Sequence, residues 1–516
     1  MSPWPLICLI ACTVIALVPV LRSPLVPLLD YPGHLASLYA LSHLGQFNGV
    51  YTSVWRPYPN LALDAVVLPL AHLMTVPAAG HLAVIATLVL LISGVAALQR
   101  ALFRRVGAMS LLAPLLLYNE AFILGFLGYL LALGACLLVI AAWIASRSWR
   151  PLPRVLLFAP LGVVLYLGHL FVFGIFALVI GVMCLEEIWR TRRVMPLITV
   201  AATCLPALCL FLAGQTARQA GVTQYGPWSI HEAALMAPTR TYGGLIDRVA
   251  LGFIVAVFVV GLATRLLTVA AALRWPLVTL LLFAIAMPDT LFDGYSVALR
   301  LPIALAFLAV GASSVQNAPT RIVLAGSLVA AVILVVQVFA IGTYWQLLQK
   351  QQQELIDALN LALQRHARVI TVMDPISSHH YRSAGGQPVS LTPYPHMADL
   401  AMISRDVYLP SVFSLANKQP LLGVGPFARF SQRDQPALDP GDLQQTIGVG
   451  DEDCKVPGPL KPYCGWERYF DYVLLLNFGW PHIFLPDHLS PVTEGSFFVL
   501  YRVNGAGDPA KQPSAG

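Results

Sequence analysis

Uninterrupted apolar runs dominate the first two thirds of the chain. They lie near residues 4–21, 82–98, 108–119, 122–145, 155–167, 170–184, 195–213, 249–267, 275–287, 300–315 and 321–343. The pattern predicts about eleven membrane-crossing helices, several of them shorter than the roughly 20 residues a bilayer usually needs. The first run, Trp4 to Leu21, is followed by Arg22-Ser23-Pro24 rather than by a small-residue cleavage site, and is expected to remain as a signal anchor. Between the runs, basic residues collect at 99–107, 146–154, 185–193, 265–274 and 316–320. The positive-inside rule assigns all five loops to the cytoplasm, and an odd number of crossings then places the C-terminal part outside.

The apolar stretch 61–74 breaks that alternation if it crosses, because Arg100, Arg104 and Arg105 would then face outward. It is expected to lie on the outer surface instead. Residues 22–60, rich in Pro, Tyr and Trp, form the first external loop, with Leu35, Leu38, Leu41 and Leu44 at helical spacing. Residues 1–344 are thus read as the transmembrane domain. From 345 to 505 the pattern changes: a helix-like stretch 350–367, a strand-like Val369-Ile370-Thr371-Val372-Met373, and an alternation Ser496 to Arg502 predict a mixed α/β domain. The small-residue tail 506–516 is expected to be disordered.

Composition supports this division. Of 516 residues, 58% are hydrophobic and 11% charged, with mean hydropathy +0.73, whereas soluble domains carry roughly 25% charged residues. The net charge of +6 is spread over short loops, so it does not point to nucleic acid. No phosphate loop, dinucleotide fingerprint or zinc spacing occurs in the C-terminal part. Six of the eight cysteines lie in apolar runs. Cys454 and Cys464 flank a polar loop, and a disulfide between them would fit an oxidising compartment. Compact loops and the lack of Asn-x-Ser/Thr sites suit a bacterial inner membrane, with the C-terminal domain in the periplasm.

The candidate chemistry collects on the external side. Asp30-Tyr31-Pro32-Gly33-His34 puts a carboxylate and an imidazole at a membrane edge, where an ionisable group is a functional candidate. Asp30 could equally cap the helix that follows. Asp64 lies on the surface stretch, Asn119 and Glu120 between two runs, His169 between two more, and Asp289, Asp293 and Arg300 before the tenth. Each has a structural alternative: His169 as a turn, Glu120 in an ion pair with Arg240 or Arg300, Asp289 and Asp293 as turn formers. A divalent cation held by Asp30, Asp64 or Glu120 with histidines stays open, without tight ligand spacing to support it.

With those residues placed, the first hundred positions resemble the GT-C superfamily of membrane glycosyltransferases, which includes the protein O-mannosyltransferases and the aminoarabinose transferase of lipid A. Asp30-Tyr31-Pro32-Gly33-His34 takes the place of the family's acidic motif on the first loop, Arg56-Pro57-Tyr58-Pro59-Asn60-Leu61 that of its Pro-rich segment, and Gln99-Arg100-Ala101-Leu102-Phe103-Arg104-Arg105 that of its basic helix end. Asp30 stands alone where the family often shows two adjacent acids. The opening Asp-Tyr-Pro-x-His-Leu-Ala also resembles a bacterial multispan family. The GT-C resemblance implies a GT-C-like α-helical polytopic fold. It implies a polyprenyl-phosphate sugar donor drawn from the membrane lipid, and an extracytoplasmic glycan, lipid or protein acceptor. Asp30 would be the general base and His34 its partner, while Arg240, Arg300, Tyr31 and Arg56 would bind the donor phosphate. The rival classes are a transporter or flippase for a lipid-linked glycan, which should show polar residues at the midplane and often inverted repeats, and a non-catalytic membrane scaffold.

Overall fold

The computed structural model describes residues 4–214, 223–242, 244–291, 294–374, 391–416, 418–431, 438–449, 454–458, 460–478 and 485–504. Among these, eight helices are long and apolar enough to cross a membrane: Trp4–Leu21, Val76–Phe103, Leu127–Ala145, Pro151–Gly168, Leu170–Thr191, Met195–Ala213, Leu245–Ala263 and Thr320–Ala362. The chain is an α-helical multispan membrane protein with a mixed C-terminal sheet.

Three of the eleven expected runs thus form shorter helical segments than a full-length crossing. Residues 108–119 form a tight 3-10 segment, Ala108–Leu116, containing Pro114, followed by a short helix Glu120–Ile123. Ala271–Ala286 has 16 residues and Arg300–Gly311 has 12. At 1.5 Å per residue these last two reach about 24 and 18 Å, short of the ~30 Å hydrocarbon core. Hydropathy alone registered all three runs, and only the backbone shows where each helix stops.

Two compact units make up the chain. The first comprises Met1–Val26, Pro57–Leu70 and Ala78–Trp345. Its helices Pro151–Gly168, Leu170–Thr191 and Met195–Ala213 pack on one another. Two glycines bring Val76–Phe103 and Leu127–Ala145 together: a Cβ on Gly94 would stand 2.5 Å from Leu137 Cβ, and one on Gly134 2.9 Å from the Leu90 carbonyl carbon. Small residues at membrane-helix contacts allow this close backbone approach. The surface stretch expected at 61–74 contains a helix, Ala62–Ala71. Its entry is tied down by Leu61 N–H donating to the Leu167 carbonyl and Leu170 N–H to that of Pro59.

The second unit comprises Pro27–Arg56, Ala71–Pro77 and Gln346–Gly516. Among the described residues its sheet has four strands, in the order Val369–Met373, Tyr472–Leu476, Phe498–Val503, Leu489–Glu494. The first pair is parallel, with Val369 opposite Tyr472, and the other two are antiparallel. The central strand Tyr472–Leu476 is buried throughout, as its unbroken run Tyr-Val-Leu-Leu-Leu requires. The first loop belongs to the same unit: Tyr51–Ser53 pairs antiparallel with Leu421–Gly423, and the helix Tyr31–Ser42 packs on Leu400–Arg405 and Tyr394–Met397. The helix-like stretch 350–367 is the end of the continuous 43-residue helix Thr320–Ala362, since Trp345 to Gln353 contains no breaker. The tail 506–516 lies outside the described residues.

Candidate active site

Tyr31-Pro32-Gly33 starts a helix because proline is tolerated in the first turn, where its missing N–H has no helical partner. Asp30 occupies the N-cap position, but its side chain makes no capping hydrogen bond. The Asp30 carboxylate instead faces an imidazole: Oδ1 lies 3.9 Å from His396 Nε2. Behind that ring, His396 Nδ1 is 2.8 Å from Asp399 Oδ2, and Ser411 Oγ donates to Asp399 Oδ1 at 2.5 Å. Asp399 is fully buried, whereas Asp30 and His396 keep 18% and 17% of their side chains exposed. Asp399 is thus the buried member of the row Ser411, Asp399, His396, Asp30, whose other three members are partly exposed.

Electrostatics separates the two histidines. Burial, together with the charge of His396, pushes His34 down to about 4, so its imidazole is neutral at pH 7. Its ring lies 4.5 Å from Phe413. For His396, burial opposes the charged form, but the Asp399 hydrogen bond and the charges of Asp399 and Asp30 outweigh it and raise the pKa. Gly33 lets the helix approach this ring, because a Cβ there would stand 2.9 Å from His396 Nδ1, 2.9 Å from Phe413 Cε2 and 3.2 Å from Asp399 Oδ2.

A gap of 3.9 Å is too long for a hydrogen bond. It is short enough for one hydroxyl to contact both groups, giving its proton to the carboxylate while accepting from the imidazolium. That chemistry is the activation of an alcohol.

The other sequence candidates make the following local contacts. Tyr31 is buried, and burial pushes its phenol up; Arg56 is exposed. In the first unit Glu120 pairs with Arg240 at 3.1 Å, the ion pair considered from sequence. Asn119 caps the next turn by accepting from Phe122 N–H and donating to the Leu116 carbonyl. His169 caps Leu170–Thr191 through Nδ1, which accepts from Phe171 N–H at 3.2 Å, while Nε2 lies 3.5 Å from Arg300 Nη1. Arg300 also donates to the Tyr295 carbonyl and sits over the Phe126 and Tyr129 rings at 5.1 and 5.8 Å. Burial raises the Asp64 carboxyl to about 6, in reach of a base near neutral pH. Asp293 lies outside the described residues. Cys454 and Cys464 are disulfide-bonded, with Cα atoms 6.3 Å apart. Among the described residues, no group of three or more His, Cys, Asp or Glu side chains could hold a metal ion.

With this geometry in view, the chain can be set beside known proteins. It is similar to ArnT. The match is to the crystal structure of ArnT from Cupriavidus metallidurans bound to undecaprenyl phosphate, with 12% sequence identity and a TM-score of 0.46, covering 99% of this chain and 100% of that one. No protein-family model and no curated protein matches the chain.

Sequence reasoning missed His396, Asp399 and Ser411. One signal was present: Tyr31-Pro32-Gly33-His34-Leu35-Ala36 has a shorter echo in Tyr394-Pro395-His396-Met397-Ala398-Asp399. Each Tyr-Pro opens a helix and each is followed by a histidine at the site.

Proposed function

We propose that this chain is a glycosyltransferase that moves a sugar from a polyprenyl-phosphate-linked donor to a hydroxyl of an extracytoplasmic glycan, lipid or protein. The observation that carries the reading is the Asp30 carboxylate facing a histidine held from behind by a buried aspartate. The donor class rests on the sequence resemblance to membrane glycosyltransferases.

The acceptor oxygen attacks the anomeric carbon while its proton passes to Asp30. The bond from that carbon to the phosphate oxygen breaks, and polyprenyl phosphate leaves with the electron pair. His396, kept toward its charged form by Asp399, acts as a positioning residue that orients the acceptor oxygen and keeps Asp30 ionised. Arg56, on the same first loop as Asp30, is proposed to meet the leaving phosphate, since a guanidinium offers the paired donors a phosphate takes up.

The test is transfer of radiolabelled sugar from polyprenyl-phosphate donors to a membrane glycolipid fraction, with folded Asp30→Asn and Asp64→Asn variants beside the parent chain. Asp30→Asn should lower transfer at least about a hundredfold, the scale of a lost general base. If Asp64→Asn alone has that effect, Asp64 is the base. If the parent chain binds donor but never transfers, the transporter reading replaces this one.

A further inference from the structure

The first unit contains a cavity of about 80 Å³ at the basic ends of its membrane helices, lined by Trp143, Arg147, Arg154, Cys184, Glu187 and Pro196 among others. About 10–15 Å³ is enough to admit one water, so this volume accommodates a small tetrahedral anion. Arg154 is held in place here. Its guanidinium lies over the Trp143 ring, 3.9 Å from the centroid, and Nη2 donates to the Trp143 carbonyl at 3.3 Å. Its Nε is buried with no hydrogen-bond partner in the structure. Among the described residues, neither Arg154 nor Arg147 has a carboxylate within 4.0 Å, although the charge of Glu187 acts on Arg154. Glu187 lines the same space, but its side is exposed.

Two arginines beside one cavity, one of them fixed in plane with an unused donor, outnumber the single carboxylate of Glu187 that acts on Arg154, and so form an anion receptor that is only partly satisfied. A guanidinium edge matches two oxygens of a phosphate. The surroundings narrow the source of such an anion. Trp143 and the arginines of residues 147–154 and 190–193 have the composition of helix ends at the headgroup layer. Basic pockets between membrane helices take anionic headgroups there. The first turns of Pro151–Gly168 and Met195–Ala213 supply Arg154 and Pro196 to the lining, so the positive ends of two helix dipoles add to the field.

We propose that this cavity is a phosphate-binding site, separate from the Asp30 residues, which takes the phosphate group of an anionic membrane lipid or of a free phosphate.

The experiment is native mass spectrometry of the full chain in detergent, titrated with phosphatidylglycerol, phosphatidylcholine and inorganic phosphate. The parent chain should retain phosphatidylglycerol at one site in preference to phosphatidylcholine. The double substitution Arg147→Gln with Arg154→Gln should weaken that site at least about tenfold, the loss expected for charge-assisted hydrogen bonds. Because a double change could disturb folding, Glu187→Gln is the second arm: at an exposed position it removes the only acid of the lining and should tighten binding. Displacement of the lipid by millimolar inorganic phosphate identifies phosphate itself as the ligand; retention of the lipid against it identifies the headgroup with its acyl chains. Equal binding by the parent chain and the double variant, equal retention of phosphatidylcholine, or weaker binding after Glu187→Gln would overturn the proposal.

Discussion

Gly33 decides how near the first helix comes to His396. Because a Cβ there would stand 2.9 Å from His396 Nδ1, Gly33→Ala must move the ring or the helix. The ring cannot swing freely, since Nδ1 is bonded to Asp399. Gly33→Ala is expected to lower transfer about ten- to a hundredfold, in line with small misplacements of catalytic groups, while the far-ultraviolet circular dichroism stays unchanged. The histidines separate by pH. His34, at about 4 in the folded chain, binds fewer protons folded than unfolded between pH 6.5 and 4, so its contribution to stability is lost as pH falls through that window. His396 has the opposite sign: raised by its carboxylates, it contributes fully below pH 6.5 and loses that contribution as pH rises through its folded value. Melting curves from pH 4 to 9 should show His34→Phe removing acid-side loss and His396→Gln removing alkaline-side loss. Asp30 and His34 were legible in the sequence because they end an apolar span and sit together in five residues. His396 and Asp399 were legible only as an echo, because Tyr394-Pro395-His396 repeats the first-loop motif without saying that the two meet.

At the scale of elements, the sequence located the apolar runs and missed how three of them end. Periodicity reports which residues are apolar; it does not report where a backbone hydrogen-bond ladder stops. The clearest case is the break after Leu116, where Pro114 and the Asn119 cap divide the run into a 3-10 segment and a short helix. Asn119→Ala removes the acceptor of Phe122 N–H and should cost about 1 kcal/mol, the usual loss for a cap, read as a lower melting midpoint with no change in donor binding. The strand Val369–Met373 was readable in full from its β-branched composition. The long helix Thr320–Ala362 was read as two pieces because its apolar half ends near 343, although its helix-forming residues continue. Hydropathy and helix propensity are separate signals, and here they part company.

For the whole molecule, the division into two units cuts across the order of the chain. Residues 27–56 were expected to serve as a loop of the transmembrane part, yet they share a core with residues beyond 346: Ser37 Oγ donates to the Phe413 carbonyl and Tyr39 to Asp406. Hydrophobic pattern cannot foresee a pairing of 376 positions. The Cys454–Cys464 disulfide closes a loop of separation 10 in that unit. Its reduction is expected to cost about 2–3 kcal/mol through the freed unfolded chain. A thermal shift with and without reductant, compared with Cys454→Ser, checks this; a shift that persists in the variant would show that the reductant acts elsewhere.

The same pairing gives the protein a clock. A ribosome adding roughly 5–20 residues per second needs on the order of 20–70 s to pass from Asp30 to His396, and for all that time the first loop is exposed without the partners that will bury Tyr31 and hold His34. A nascent or prematurely ended chain can place its helices in the bilayer and yet carry no working centre. On the proposed function, the last quarter of synthesis would then be the licence for chemistry at Asp30, and a truncated product would be inert rather than uncontrolled.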